Sequence, residues 1–171
     1  MIKKLFFILL LYCFIGYSQT DVPNAKKRLD FAFSPGIIQQ RNTFVEANLF
    51  VGRIITRTEE QIPSVGNYGL RIGAESDCYR TIATKIGCEI AATIVTIRLS
   101  GVQYFQGNNS EFRLISEFGY CIGGWVNLTY GYGISFKNSE ITDIGRHRVC
   151  LSFNLNRSHK PDSNCGEPLY Y

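Results

Sequence analysis

Between Leu29 and Leu155 the chain is written in segments of about ten residues in which apolar and polar side chains alternate, and short turn-forming stretches separate the segments. Successive side chains on a strand point to opposite faces, so a period of two specifies strands with two unlike faces. No segment sustains a helical period. The strands expected from this pattern cover 29–39, 44–55, 67–76, 83–94, 96–106, 111–122, 125–136 and 146–155. Between them lie Gln40-Arg41-Asn42, Glu59 to Gly66 with Pro63, Asp77 to Arg80, Gly107 to Ser110, Gly123-Gly124 and Lys137 to Gly145, all rich in turn formers. Eight short strands joined by hairpins predict an all-β fold, an eight-stranded antiparallel closed barrel of up-and-down type spanning 29–155.

The seventh segment states the two-faced code most plainly. Val126, Leu128, Tyr130, Tyr132, Ile134 and Phe136 share one face, and Asn127, Thr129, Gly131, Gly133 and Ser135 the other. Alternation alone does not say which face is inside: a soluble barrel puts its apolar side chains inward, a membrane barrel outward. Glycine decides the expectation. Gly36, Gly52, Gly69, Gly73, Gly87, Gly119, Gly131 and Gly133 all fall on the polar face. A crowded lumen has a steric reason to collect glycine and a water-facing surface has none. The polar face is therefore expected inward, the transmembrane type of barrel. Its charges would form an interior network of Asp30, Glu46, Glu75, Glu89 and Glu117 with Arg71, Lys85, Arg98, Arg113, Arg146 and Arg148. Eight strands leave room only for side chains, so these charges are expected to fill the lumen as paired ions rather than line a wide pore.

The ends carry different signals. Lys3 and Lys4, the apolar run Leu5 to Ile15 and the small residues around Ser18 form the three-part pattern of a secretory signal peptide over 1–18, followed by a lead at 19–28. The apolar run is too short for an anchoring helix, which needs about 20 residues. Removing 1–18 takes away two lysines, so the net charge falls from +4 to 16 − 14 = +2. No basic stripe points to nucleic acid. A flexible tail is expected over 156–171, which holds Pro161, Cys165 and Pro168 without strand alternation. Cys78, Cys88, Cys121, Cys150 and Cys165 make an odd set after export, and no metal-ligand spacing or cofactor motif accompanies them.

On these segments, and on Leu128-Thr129-Tyr130-Gly131-Tyr132-Gly133-Ile134-Ser135-Phe136 in particular, the chain resembles the small eight-stranded outer-membrane barrels exemplified by the OmpA transmembrane domain and OmpX. The resemblance covers about residues 29–155 and implies a Gram-negative outer-membrane location, with membrane lipid as the surrounding partner. It identifies a class and no activity. The chain departs from the class in continuing for sixteen residues past Leu155.

Some barrels of this class modify lipid A, so catalysis has to be weighed. A serine triad needs a histidine within reach of a serine. After residues 1–18 are removed the chain has only His147 and His159, and neither is followed by a serine two residues later, the spacing that resemblance to the lipid A deacylases implies. The aromatic set Tyr104, Phe105, Tyr120, Trp125, Tyr130, Tyr132 and Phe136 is expected to belong mostly to interfacial girdles. The sequence thus predicts a non-catalytic outer-membrane barrel with a structural or surface-interaction role, its loops available to a protein or surface ligand. Two alternatives stay open, a soluble lipocalin-like periplasmic barrel holding an apolar ligand and a lipid A-modifying enzyme.

Overall fold

A computed structural model of the chain describes residues 29–57, 64–92, 94–122, 125–136, 141 and 143–156. The expected signal peptide, the lead and all but the first residue of the expected tail lie outside them. The strands are β1 (Leu29–Gln39), β2 (Thr43–Arg57), β3 (Ser64–Ser76), β4 (Thr81–Ala92), β5 (Val95–Gln106), β6 (Asn109–Ile122), β7 (Val126–Ser135) and β8 (His147–Phe153). Each pairs antiparallel with the next, and β8 pairs with β1 to close the barrel. The expected architecture is therefore present, with β1 at its expected bounds. β2, β3, β5 and β6 run further than the turn residues suggested, β4 lies two residues earlier than expected, and β7 and β8 are shorter than expected. Ser64–Gly66 and Asn109–Ser110 are paired strand, because Arg57 meets Ser64 across one hairpin and Gln106 meets Asn109 across another. At the latter, Gly107 has φ 59° at the first position of a two-residue turn, where glycine adopts a left-handed backbone freely.

The register fixes the shape. Stepping straight across the ladders from Leu29 leads through Arg53, Tyr68, Ile90, Ile97, Phe118, Tyr130 and Val149 to Gln39, ten residues further along β1. A shift of ten residues at ~3.3 Å over eight strands at ~4.8 Å tilts the strands by about 40° from the barrel axis. The closing seam is the weakest ladder, since β1 meets β8 only from Gly36 to Gln39 and again at Phe33, whose carbonyl accepts from Leu155 at 2.7 Å. The gap has a chemical cause. Odd-numbered residues of β1 turn their backbone groups toward β8, and Pro35 has no N–H to donate there.

The upper rim carries the β1–β2, β3–β4, β5–β6 and β7–β8 connections; both ends of the described barrel lie at the lower rim. Under the upper rim Ile38, Phe44, Ala83, Val102, Tyr104, Ile115 and Cys150 form an apolar cluster with Ile141 and Ile144 of the β7–β8 connection. Residues expected only as turn thus seal one mouth of the lumen. Arg113 Nη1 holds them down by donating to the carbonyls of Ile144 (3.3 Å) and Gly145 (2.7 Å). In the β3–β4 turn, burial raises the Asp77 carboxyl, but backbone N–H groups of Thr81, Tyr79 and Arg80, each 2.9 Å from Oδ1, hold it below the usual range. Cys78, Cys88 and Cys150 are free thiols, Cys121 Sγ donates to the Val95 carbonyl at 3.6 Å, and Cys165 lies outside the described residues.

The polar face points inward and the apolar face outward on every strand whose side chains are described. Crowding explains Gly131: a Cβ there would lie 2.8 Å from Glu117 Cγ and 2.9 Å from Arg148 Cγ. It does not explain Gly133, where the nearest atom would be 3.6 Å away. Gly131→Phe is therefore expected to overpack the lumen and cost about 1–3 kcal/mol or more in urea unfolding, whereas Gly133→Ala is expected to stay within about 0.5 kcal/mol. Equal losses would mean that the space around these two glycines is not what sets their cost.

Candidate functional site: a charged lumen

The inward positions of six strands bring acids and bases together along the barrel axis. The ladder runs from Arg98, whose Nε lies 2.8 Å from Glu89 Oε2, to Arg71, which also bonds Glu89 and reaches Glu46 Oε1 at 3.8 Å. Glu46 Oε2 then accepts from Lys85 Nζ at 2.8 Å, and Lys85 meets Glu75 Oε1 at 3.0 Å. Glu75 takes Arg148 Nη2 at 2.8 Å, and Arg148 Nε lies 3.2 Å from Glu117. Four carboxylates and four cations thus form one neutral chain, with side-chain accessibilities of 0–2%. Charges this deep in a low dielectric persist only when each has a close partner of opposite sign.

A separate pair stands above the chain. Arg113 Nε meets Glu111 at 2.6 Å, and its guanidinium lies 6.0 Å from the centre of the Tyr104 ring. The Tyr104 hydroxyl donates to Glu75 Oε2 at 3.2 Å, which couples the pair to the main chain. Arg113 pairs with Glu111 because residues two apart on one strand share a face. The structure also corrects one expectation. Tyr104 belongs to the lumen and not to an outer aromatic girdle: it shares the parity of Arg98 on β5 and is fully buried.

Of the other expected members, Asp30 is half-buried near the lower rim and stands outside these pairs. Arg146 is exposed at the upper rim, since β8 begins at His147 and the barrel wall no longer encloses the preceding side chain. With Glu111 counted in and Asp30 and Arg146 left out, five acids face five bases. Two neutral side chains of β8 and Asn154 just past its end also belong to the site. Cys150 Sγ donates to Glu46 at 3.2 Å, Arg98 Nη2 donates to Ser152 Oγ at 2.9 Å, and Asn154 bonds both Ser34 and Glu89. Their parity with Arg148 was the available signal.

The arrangement is electrostatically closed: its carboxylates are consumed by cations and its thiol is buried. Outside the barrel His147 Nδ1 lies 2.5 Å from the Tyr130 hydroxyl, with the Tyr132 ring 5.2 Å away. Among the described residues no group of three His, Cys, Asp or Glu side chains could hold a metal ion. No protein-family model, curated protein or solved structure matches the chain.

The pairing ranks the carboxylates. Glu75 serves Lys85, Arg148 and Tyr104, so Glu75→Ala is expected to cost about 3–5 kcal/mol by leaving buried cations short of an anion. Glu117 meets Arg148 alone in the chain, and Arg148 keeps Glu75, so Glu117→Ala is expected to cost clearly less. Urea titration of the two variants checks the order, which the reverse ranking would contradict.

Proposed function

We propose that this chain is a non-catalytic outer-membrane β-barrel with a structural or surface-interaction role, of the small class that its strands resemble. The observation that carries this reading is the outer surface. Phe31, Leu70, Ile86, Ile97, Phe118 and Leu128, from six different strands, all point outward and are 50–59% exposed. An apolar coat around the whole barrel is unstable in water, because each such side chain forgoes about 1.5–3 kcal/mol of transfer free energy; in hydrocarbon it is the favoured surface.

Geometry supports the same reading. At a tilt of about 40° a strand advances roughly 2.5 Å per residue along the axis, so the 11 residues of β1 cover about 28 Å. The apolar band of outer-membrane barrels is about 25 Å tall. The export-like pattern at 1–18 points the same way. A lipocalin-like carrier would need its apolar residues inward, where this chain holds ion pairs. A wide pore is disfavoured by the same filled lumen and by the Ile141–Ile144 seal. For lipid A chemistry, the described histidine is engaged with tyrosine on the outer surface.

Leu128→Arg tests the reading directly. A charge placed on the lipid face near mid-membrane is expected to cost about 2–4 kcal/mol and to impair assembly into vesicles. The wild-type chain should remain in the membrane fraction after washing with high salt and alkali and should migrate differently on gels before and after heating. Release into the soluble fraction, with Leu128→Arg folding unimpaired in water, would overturn the proposal.

A further inference from the structure

The exposed charges are as one-sided as the buried ones are balanced. Among the described residues every exposed ionisable side chain of the Asp, Glu, Lys and Arg types is an arginine: Arg41, Arg53, Arg80 and Arg146. Arg41, Arg80 and Arg146 all stand at the upper rim, in the connections that flank β1, β3 and β8. The described acids at that end are withdrawn. Glu111 is consumed by Arg113, Asp77 is buried in its own turn, and Asp143 accepts from Gln106 at 2.6 Å.

Two of these arginines also have an exposed aromatic group beside them. Arg80 follows Tyr79, which is 93% exposed, and Arg146 precedes His147, against which Tyr130 and Tyr132 stack. Aromatic rings with polar tips settle at the depth of lipid headgroups, and a guanidinium at that depth meets phosphate, which it binds with two parallel hydrogen bonds. We propose that the upper rim binds the phosphate groups of anionic lipids through Arg80 and Arg146, fixing the depth and orientation of the barrel in an anionic leaflet. The inference rests on the membrane reading above and adds a partner to it. The lower rim offers a contrast: Arg53, its exposed arginine among the described residues, donates to the Tyr68 hydroxyl at 3.2 Å.

The test uses the full chain refolded into phosphatidylcholine vesicles with and without phosphatidylglycerol, and follows the midpoint of thermal unfolding. Phosphatidylglycerol is expected to raise the midpoint, with an effect that shrinks as salt is added. The doubly substituted Arg80→Gln/Arg146→Gln chain should lose at least half of that rise, and Arg53→Gln should keep it. Both positions are exposed, so the double variant is expected to match the wild type in phosphatidylcholine alone. Insertion into both vesicle types with equal midpoints would overturn the inference and leave the membrane reading intact. So would an equal loss in Arg53→Gln, or an equal rise from inorganic phosphate in phosphatidylcholine vesicles. Failure to insert into either vesicle type would overturn both readings.

Discussion

The structure depends on the neutralisation of charge inside a closed wall. Buried ions are costly unless paired, and the lumen pairs them across strands that are distant in sequence. The last strand and Asn154 just past its end supply the decisive partners: Arg148 reaches Glu75 on β3, Cys150 reaches Glu46 on β2, Ser152 takes Arg98 from β5, and Asn154 joins Glu89 on β4 to Ser34 on β1. Closing the ladder and completing the electrostatics are therefore one event. This offsets the short β1–β8 seam, where Pro35 interrupts the backbone bonding and side chains inside the barrel tie the edges together.

Because the buried charges are paired inside, the outer face is free to be apolar on the strands, and this inversion links the fold to the proposed membrane setting. Eight strands with a shift of ten residues enclose a lumen that side chains fill. Paired charges occupy the interior, and the apolar cluster with Ile141 and Ile144 closes the upper mouth. Interaction is left to the outer surface and the rims, where exposed arginine gathers at one end.

The wall was legible in the sequence because a period of two is a local property: one residue of known direction fixes its whole strand. The inward set of β2 to β6 follows from parity alone, and so did the membership of Glu46, Arg71, Glu75, Lys85, Glu89, Arg98, Arg113, Glu117 and Arg148. What parity could not convey was where the wall ends and which strands face each other across the lumen. Arg146 shares its parity with Arg148 but lies just past the strand. Tyr104 carries the inward parity of Arg98, yet its amphipathic ring suits an outer girdle equally well until its partner Glu75, 29 residues earlier, is in view. The pairing of Arg113 with Glu111, and the burial of Ile141 and Ile144, depend on how the connection after β7 folds over the mouth, and turn composition carries no such information.

In the proposed membrane setting the apolar face meets lipid and the polar face meets the lumen. Nitroxide labels at positions 97 and 128, which point outward, and at 133, on the lumen face, test it in vesicles with the hydrocarbon-soluble relaxant oxygen and a water-soluble nickel chelate. The account predicts strong relaxation by oxygen at 97 and 128, little relaxation by nickel there, and low oxygen access at 133. Strong oxygen access at 133, with 97 and 128 open to nickel, would contradict it.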